Sequence, residues 1–218
     1  MRETRTSSEL VVSYLTLRRV IGILGVGLPF VLAIWGCFIQ HELLPTMSDY
    51  YALRTRDAFV GFLFTIGWFL YTYHGYTTQD NYVSNAAGVL ALGVAVFPTG
   101  GTTFEHCLHL GSAAGLFLLL AYFSYFLFTK SDPTPTPQKL TRNRIYRGCG
   151  IAIVICVVLI ALYQTTGLGS TRLDKVKPVF FLETFALWAF GFSWFVKGET
   201  LWRDPPTPQT AAGAQLRR

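Results

Sequence analysis

The chain has 218 residues, of which 51% are hydrophobic, 16% aromatic and only 14% charged, with a formal net charge of +6. A water-soluble domain carries about a quarter charged residues, so that class is excluded, and the length leaves room for one compact bundle without a sizeable soluble domain. The positive charge lies between apolar runs, where basic loops set topology and meet anionic headgroups, and no nucleic-acid-binding motif is present.

A helix needs about 20 apolar residues to cross the hydrocarbon core. Residues 1–19 form an N-terminal segment carrying Arg2, Arg5, Arg18 and Arg19. The first span, 20–39, has no charge. It is too long for the apolar region of a cleaved leader, and Trp35 stands where a cleavage box before Cys37 wants a small residue. Further spans are expected at 58–73, 83–98, 107–128, 148–163 and 178–196, the last interrupted only by Glu183. The spans 58–73, 83–98 and 148–163 are short and draw on flanking polar residues or a thinned bilayer. Segment 131–137 is a Pro/Thr linker expected to be extended, and 198–218 has the composition of a disordered tail. The fold class is therefore all-α: a polytopic membrane bundle of six transmembrane helices.

Lys and Arg set the orientation. Six spans place the N-terminal segment, the 129–147 connection and the C-terminal tail on one side. Thirteen of the eighteen basic residues are there, against Arg54, Arg56, Arg172, Lys175 and Lys177 opposite. The positive-inside rule then puts both termini in the cytoplasm, and a bacterial inner membrane is the expected location.

Helices in lipid associate through small residues that permit close approach. Gly111 and Gly115 form a GxxxG, Ala87, Ala91 and Ala95 recur at four-residue spacing beside Gly88, and Gly61 and Gly67 lie in the second span. These serve packing within the bundle or a homodimer face.

Chemistry concentrates outside the cytoplasm. The first outer connection holds His41, Asp49, Arg54, Arg56 and Asp57, and the fourth span opens with Glu105, His106 and His109. Helical spacing aligns Glu105 with His109 and His106 with His109, a carboxylate and imidazole set that zinc accepts. A bound zinc would polarise a lipid amide or ester and activate water, but the spacing is not HExxH. A further ligand would have to come from His41, Asp49, Asp57 or Glu183. Glu105 also suits the first turn of a helix, where the dipole favours negative charge. Glu183 lies about 7–8 Å inside its span at 1.5 Å per residue. An ionisable group at that depth is a functional candidate with Arg54, Arg56, His106 and His109 as its expected partners, or else a structural ion pair or a lipid-facing group that snorkels. Asp49, Arg54, Arg56, Asp57 and Glu183 together would make a headgroup pocket in which arginine grips phosphate, or a salt-bridged loop. Glu105 and Glu183 are the catalytic candidates if there is catalysis. His74 belongs to an aromatic belt with Tyr71, Tyr73 and Tyr76. Cys37 and Cys107 both approach the outer surface, where a disulfide is compartment-compatible. No cofactor other than zinc is indicated.

The stretch Leu44-Pro45-Thr46-Met47-Ser48-Asp49, followed by Phe59-Val60-Gly61-Phe62-Leu63, resembles the entry to helix two in the Frag/DRAM/Sfk group of six-helix membrane proteins and their bacterial relatives. That resemblance implies a six-helix bundle and, for some eukaryotic members, links to lipid remodelling or organelle membranes. It brings no agreed catalytic set. Ceramidase-like membrane hydrolases differ, having seven spans and an HxxxH in the last helix.

Three functions follow as expectations. The first is a non-enzymatic bundle that binds lipid, another membrane protein or a second copy through its outer polar face. The second is a zinc hydrolase acting on lipid, and the third is a small transporter or channel. The last has the least behind it, because charge is nearly absent at mid-membrane depth and no inverted repeat is visible.

Overall fold

The computed structural model describes residues 7–130, 133–166, 175–199 and 201–202. Among these residues six α-helices follow in order: α1 (Ser7–Gln40), α2 (Arg56–Thr72), α3 (Thr78–Val96), α4 (Thr103–Tyr122), α5 (Pro137–Thr165) and α6 (Pro178–Lys197). A short 3₁₀ turn, Ser48–Ala52, sits between α1 and α2, and a π-helical turn, Phe123–Leu127, continues α4. Among the described residues there is no strand. Tyr14–Phe38, Thr103–Leu127, Pro137–Thr165 and Pro178–Lys197 are each long and apolar enough to cross a membrane. Helix α2 has only 17 residues, and α3 begins with the polar run Thr78-Gln79-Asp80-Asn81.

Two helices start well before their apolar runs. Helix α1 extends back to Ser7 and α5 to Pro137, through stretches expected as flanking segment and connection. For α5 the cause is local. The Thr136 hydroxyl accepts the Lys139 N–H, and Pro137 takes the first helical position, where its missing donor costs nothing. The expected extended linker is thus shortened, with residues 131–132 outside the described ones. The expected tail lies mainly outside them too. Trp202 nonetheless returns to the bundle, its carbonyl accepting Arg142 Nη1 at 2.7 Å.

Each helix packs on the next, and α6 closes the ring against α1. Glycine sets the closest approaches. A Cβ on Gly191 would stand 2.8 Å from the Gly22 carbonyl oxygen and 2.7 Å from Val26 Cγ2, so α1 and α6 touch backbone to backbone. Gly88 of α3 likewise faces the Gly67 carbonyl of α2 at 2.7 Å, with Ala87, Ala91 and Ala95 buried on the same helix. The expected GxxxG and the second-span pair contribute unevenly. Gly115 meets Leu90 and Gly67 meets Gly88, but Gly111 and Gly61 face open space. Aromatic rings fill the core near one end: Trp194 lies edge-on to Tyr73 at 5.0 Å and to Phe128 at 5.1 Å.

The chain alternates direction, giving two distinct ends. At one, Phe180 N–H donates to the Pro45 carbonyl at 3.0 Å and the Tyr51 hydroxyl reaches the Val96 carbonyl at 3.1 Å. At the other, Arg18 reaches the Lys197 carbonyl and Arg19 Nε reaches Gly198, so the first and last helices meet there.

Candidate functional site

The end carrying the 41–55 connection holds every residue expected to do chemistry, and most of them fasten the bundle shut. Glu183 Oε2 accepts the Met47 N–H at 2.7 Å. Its partner is a backbone amide, in place of an expected arginine or histidine. Asp49 and Thr46 cap one another: Thr46 N–H donates to Asp49 Oδ2 at 2.9 Å, and Asp49 N–H donates to Thr46 Oγ1 at 3.1 Å. His109 is 1% exposed. Its Nδ1 lies 2.7 Å from the Phe97 carbonyl, which can only accept, so Nδ1 carries the proton. In the neutral ring Nε2 then accepts from the Ser48 hydroxyl at 2.8 Å. Tyr50 is fully buried against α1, where a Cβ on Gly36 would strike its ring, and burial pushes its phenol above the ordinary value.

The residues expected to share a metal are divided. Glu105 Oε2 accepts the Thr102 N–H at 2.7 Å and completes a capping box at the start of α4. His106 Nδ1 donates to the Thr99 carbonyl at 2.9 Å, and His109 turns inward to Ser48. His41 is exposed with φ of 58°, ending α1 in the left-handed conformation. Among the described residues no three His, Cys, Asp or Glu side chains are grouped to hold a metal ion. Arg54, Arg56 and Asp57 are exposed, and Arg56 packs on the Tyr51 ring at 4.6 Å and donates to its hydroxyl. Cys37 and Cys107 are exposed free thiols, while Cys149 and Cys156 are buried. His74 is exposed, as are Tyr71 and Tyr76 of the expected belt, while Tyr73 is buried; His74 donates from Nδ1 to the Thr72 carbonyl, and its own carbonyl accepts the Tyr14 hydroxyl.

The opposite end holds what sequence reasoning missed. A cavity of about 470 Å³ opens among α1, α5, α6 and the α2–α3 turn. Arg18, Lys130, Lys139, Arg142 and Lys197 line it, with Glu199 as the one carboxylate among the described residues on its wall. Beside it, Asp80 bonds Lys130 Nζ at 2.5 Å and caps α3 in a box with Thr77. Burial works against the Asp80 carboxylate, but the bonds from Lys130 and Thr77 hold it below its ordinary value. Each cation was visible in the sequence as a topology signal. Their convergence was not, because they come from three separate stretches of chain, at Arg18, at Lys130 to Arg142 and at Lys197.

A second space is apolar. A groove of about 480 Å³ runs along α4 and α5, lined by Leu118, Tyr122, Tyr125, Ile151, Val154 and Ile155 among others. It forms where Gly150 brings α5 against Ala121 and Tyr125.

Comparison with protein-family models, with curated proteins and with solved structures finds no match for this chain.

Proposed function

We propose that the chain is an integral membrane protein of six spans with both termini in the cytoplasm, and that it binds membrane lipid without transforming it. The observation that carries the lipid reading is the α4–α5 groove. It is lined almost wholly by apolar side chains, and Ile151, Val154 and Ile155 are exposed around it. Such a groove suits an acyl chain. Large apolar side chains exposed on several helices, among them Ile23, Trp68, Val89, Leu118, Ile155 and Phe185, support immersion in lipid. The short helices α2 and α3 complete an even number of crossings, which keeps the basic ends of α1, α5 and α6 on one face. The likeness of residues 44–49 to Frag/DRAM/Sfk proteins points the same way.

This reading moves the ligand away from the outer polar residues. Glu183, Asp49 and His109 spend their polar atoms on the 41–55 connection itself. The hydrolase reading asks Glu105, His106 and His109 to converge, and each is bound separately. No particular contact favours transport.

Native mass spectrometry of the chain extracted in mild detergent tests the reading. Retained phospholipid is expected, and Ile151→Trp, which places a large ring in the groove, should reduce it. Extraction without any retained lipid, or retention unchanged in Ile151→Trp, would remove the groove from consideration.

A further inference from the structure

Two cations at the basic cavity are buried without a carboxylate partner among the described residues. Lys197 is only 8% exposed and its ammonium has neither a hydrogen bond nor an ion pair among the described residues. It rests instead over the rings of Tyr76 and Phe128, at 5.1 Å and 5.3 Å. Arg18 is 7% exposed; its terminal nitrogens reach the Lys197 carbonyl and the Tyr73 hydroxyl, while its Nε is buried without a partner. Removing a charge from water without a counter-charge is costly. Here two buried cations lie side by side at the end of the ring, with Lys130, Lys139 and Arg142 on the same wall. Among the described residues, Asp80 and Glu199 are the carboxylates beside these five cations. Helix α5 adds to the positive charge there: its N-terminus opens at the cavity through Thr136, and its first turn carries no acidic residue. The cavity volume of about 470 Å³ falls within the range of small-molecule sites.

We propose that this cavity binds a phosphate group, a phosphomonoester or diphosphate, with Lys197 and Arg18 at its base and Lys139 and Arg142 at its mouth. Arginine and lysine meet phosphate through charge-assisted hydrogen bonds, and the anion supplies the counter-charge that the buried pair lacks. The phosphate comes either from an anionic lipid headgroup or from a water-soluble compound. Only the lipid source rests on the membrane reading above.

Thermal unfolding of the full chain in detergent with inorganic pyrophosphate, and in phosphatidylcholine nanodiscs with or without phosphatidic acid, tests the site. Sodium chloride at matched ionic strength is the control. The wild-type chain should gain stability with pyrophosphate, phosphatidic acid or both. A response to pyrophosphate marks a site open to water, and a response confined to phosphatidic acid marks a headgroup site. Lys197→Met keeps the apolar stem over Tyr76 and Phe128 and removes the charge. It should unfold no earlier than wild type without ligand and bind the active probe at least about tenfold more weakly, as loss of a charged hydrogen bond implies. If Lys197→Met does not fold, Lys139→Gln carries the same comparison. A wild-type chain that responds to neither probe beyond the salt control overturns the site. So does an unchanged response in the charge-removing variant. A chain that retains neutral phospholipid in native mass spectrometry but ignores both phosphates would lose this site and keep the lipid reading. Pyrophosphate binding without any retained lipid would do the reverse.

Discussion

Two single-methyl substitutions should move stability in opposite directions, because the glycines they replace have opposite surroundings. At Gly191 a Cβ would sit 2.8 Å from the Gly22 carbonyl oxygen, 2.7 Å from Val26 Cγ2 and 3.0 Å from Val26 N. Two of these neighbours are backbone atoms of α1 and cannot swing aside, so α1 and α6 must separate by several tenths of an ångström. Overpacking of this kind costs about 1–3 kcal/mol. At Gly111 a Cβ would meet nothing within 4 Å. There the only change is the lower backbone entropy of alanine, which favours the helix by about 0.5–1 kcal/mol. Gly191→Ala should therefore destabilise and Gly111→Ala should be neutral or mildly stabilising. Reversible unfolding in bicelles, by steric trapping or denaturant, measures both against wild type. Gly191→Ala as stable as Gly111→Ala would refute the backbone contact of α1 with α6. A large loss at Gly111 would mean that its face is covered, as the GxxxG spacing suggests for a homodimer.

Glu183→Ala should leave the Met47 amide without its acceptor and cost about 1–3 kcal/mol; faster hydrogen exchange at Met47–Asp49 is the specific sign, and unchanged exchange would count against the contact. His109→Ala should destabilise by a similar amount through Ser48 and the Phe97 carbonyl while leaving the metal content of the purified protein unchanged. Zinc lost in that variant would favour the hydrolase. Asp80, held below its ordinary value by Lys130 and Thr77, contributes stability that is complete above about pH 4 and disappears as pH falls through its folded value. An Asp80→Asn variant should thus be less stable at neutral pH and lose less on acidification, and parallel acid curves for the two chains would contradict that role.

The apolar runs made the six helices legible, and four of them are long and apolar enough to cross a membrane. Helix starts were less so. The polar beginnings of α1 and α5 carry no span signal, although Thr136 followed by Pro137 was a readable helix start. Helix starts also bear on the carboxylates. Asp49, Asp80 and Glu105 each stand three residues after a threonine that they cap reciprocally. A Thr-x-x-acid pattern before a helical turn is a structural signal, and it accounts for Asp49 and Glu105, read as ligand and metal candidates. Glu183 stood out by its depth, and its carboxylate accepts the Met47 N–H. Its partner was not legible, because a backbone amide from the 41–55 connection has no sequence signature. Gly111 and Gly61 show that small-residue spacing identifies a smooth helix face without saying whether anything lies against it.

Cysteine accessibility in spheroplasts bears most directly on the membrane bundle itself. In a chain whose four native cysteines are replaced, Arg54→Cys and Arg144→Cys report the two ends, both positions being exposed. A membrane-impermeant maleimide should label Arg54→Cys in intact spheroplasts and Arg144→Cys only after permeabilisation. Equal labelling of the two before lysis, or a chain that leaves the membrane fraction in carbonate, would contradict the six-span arrangement.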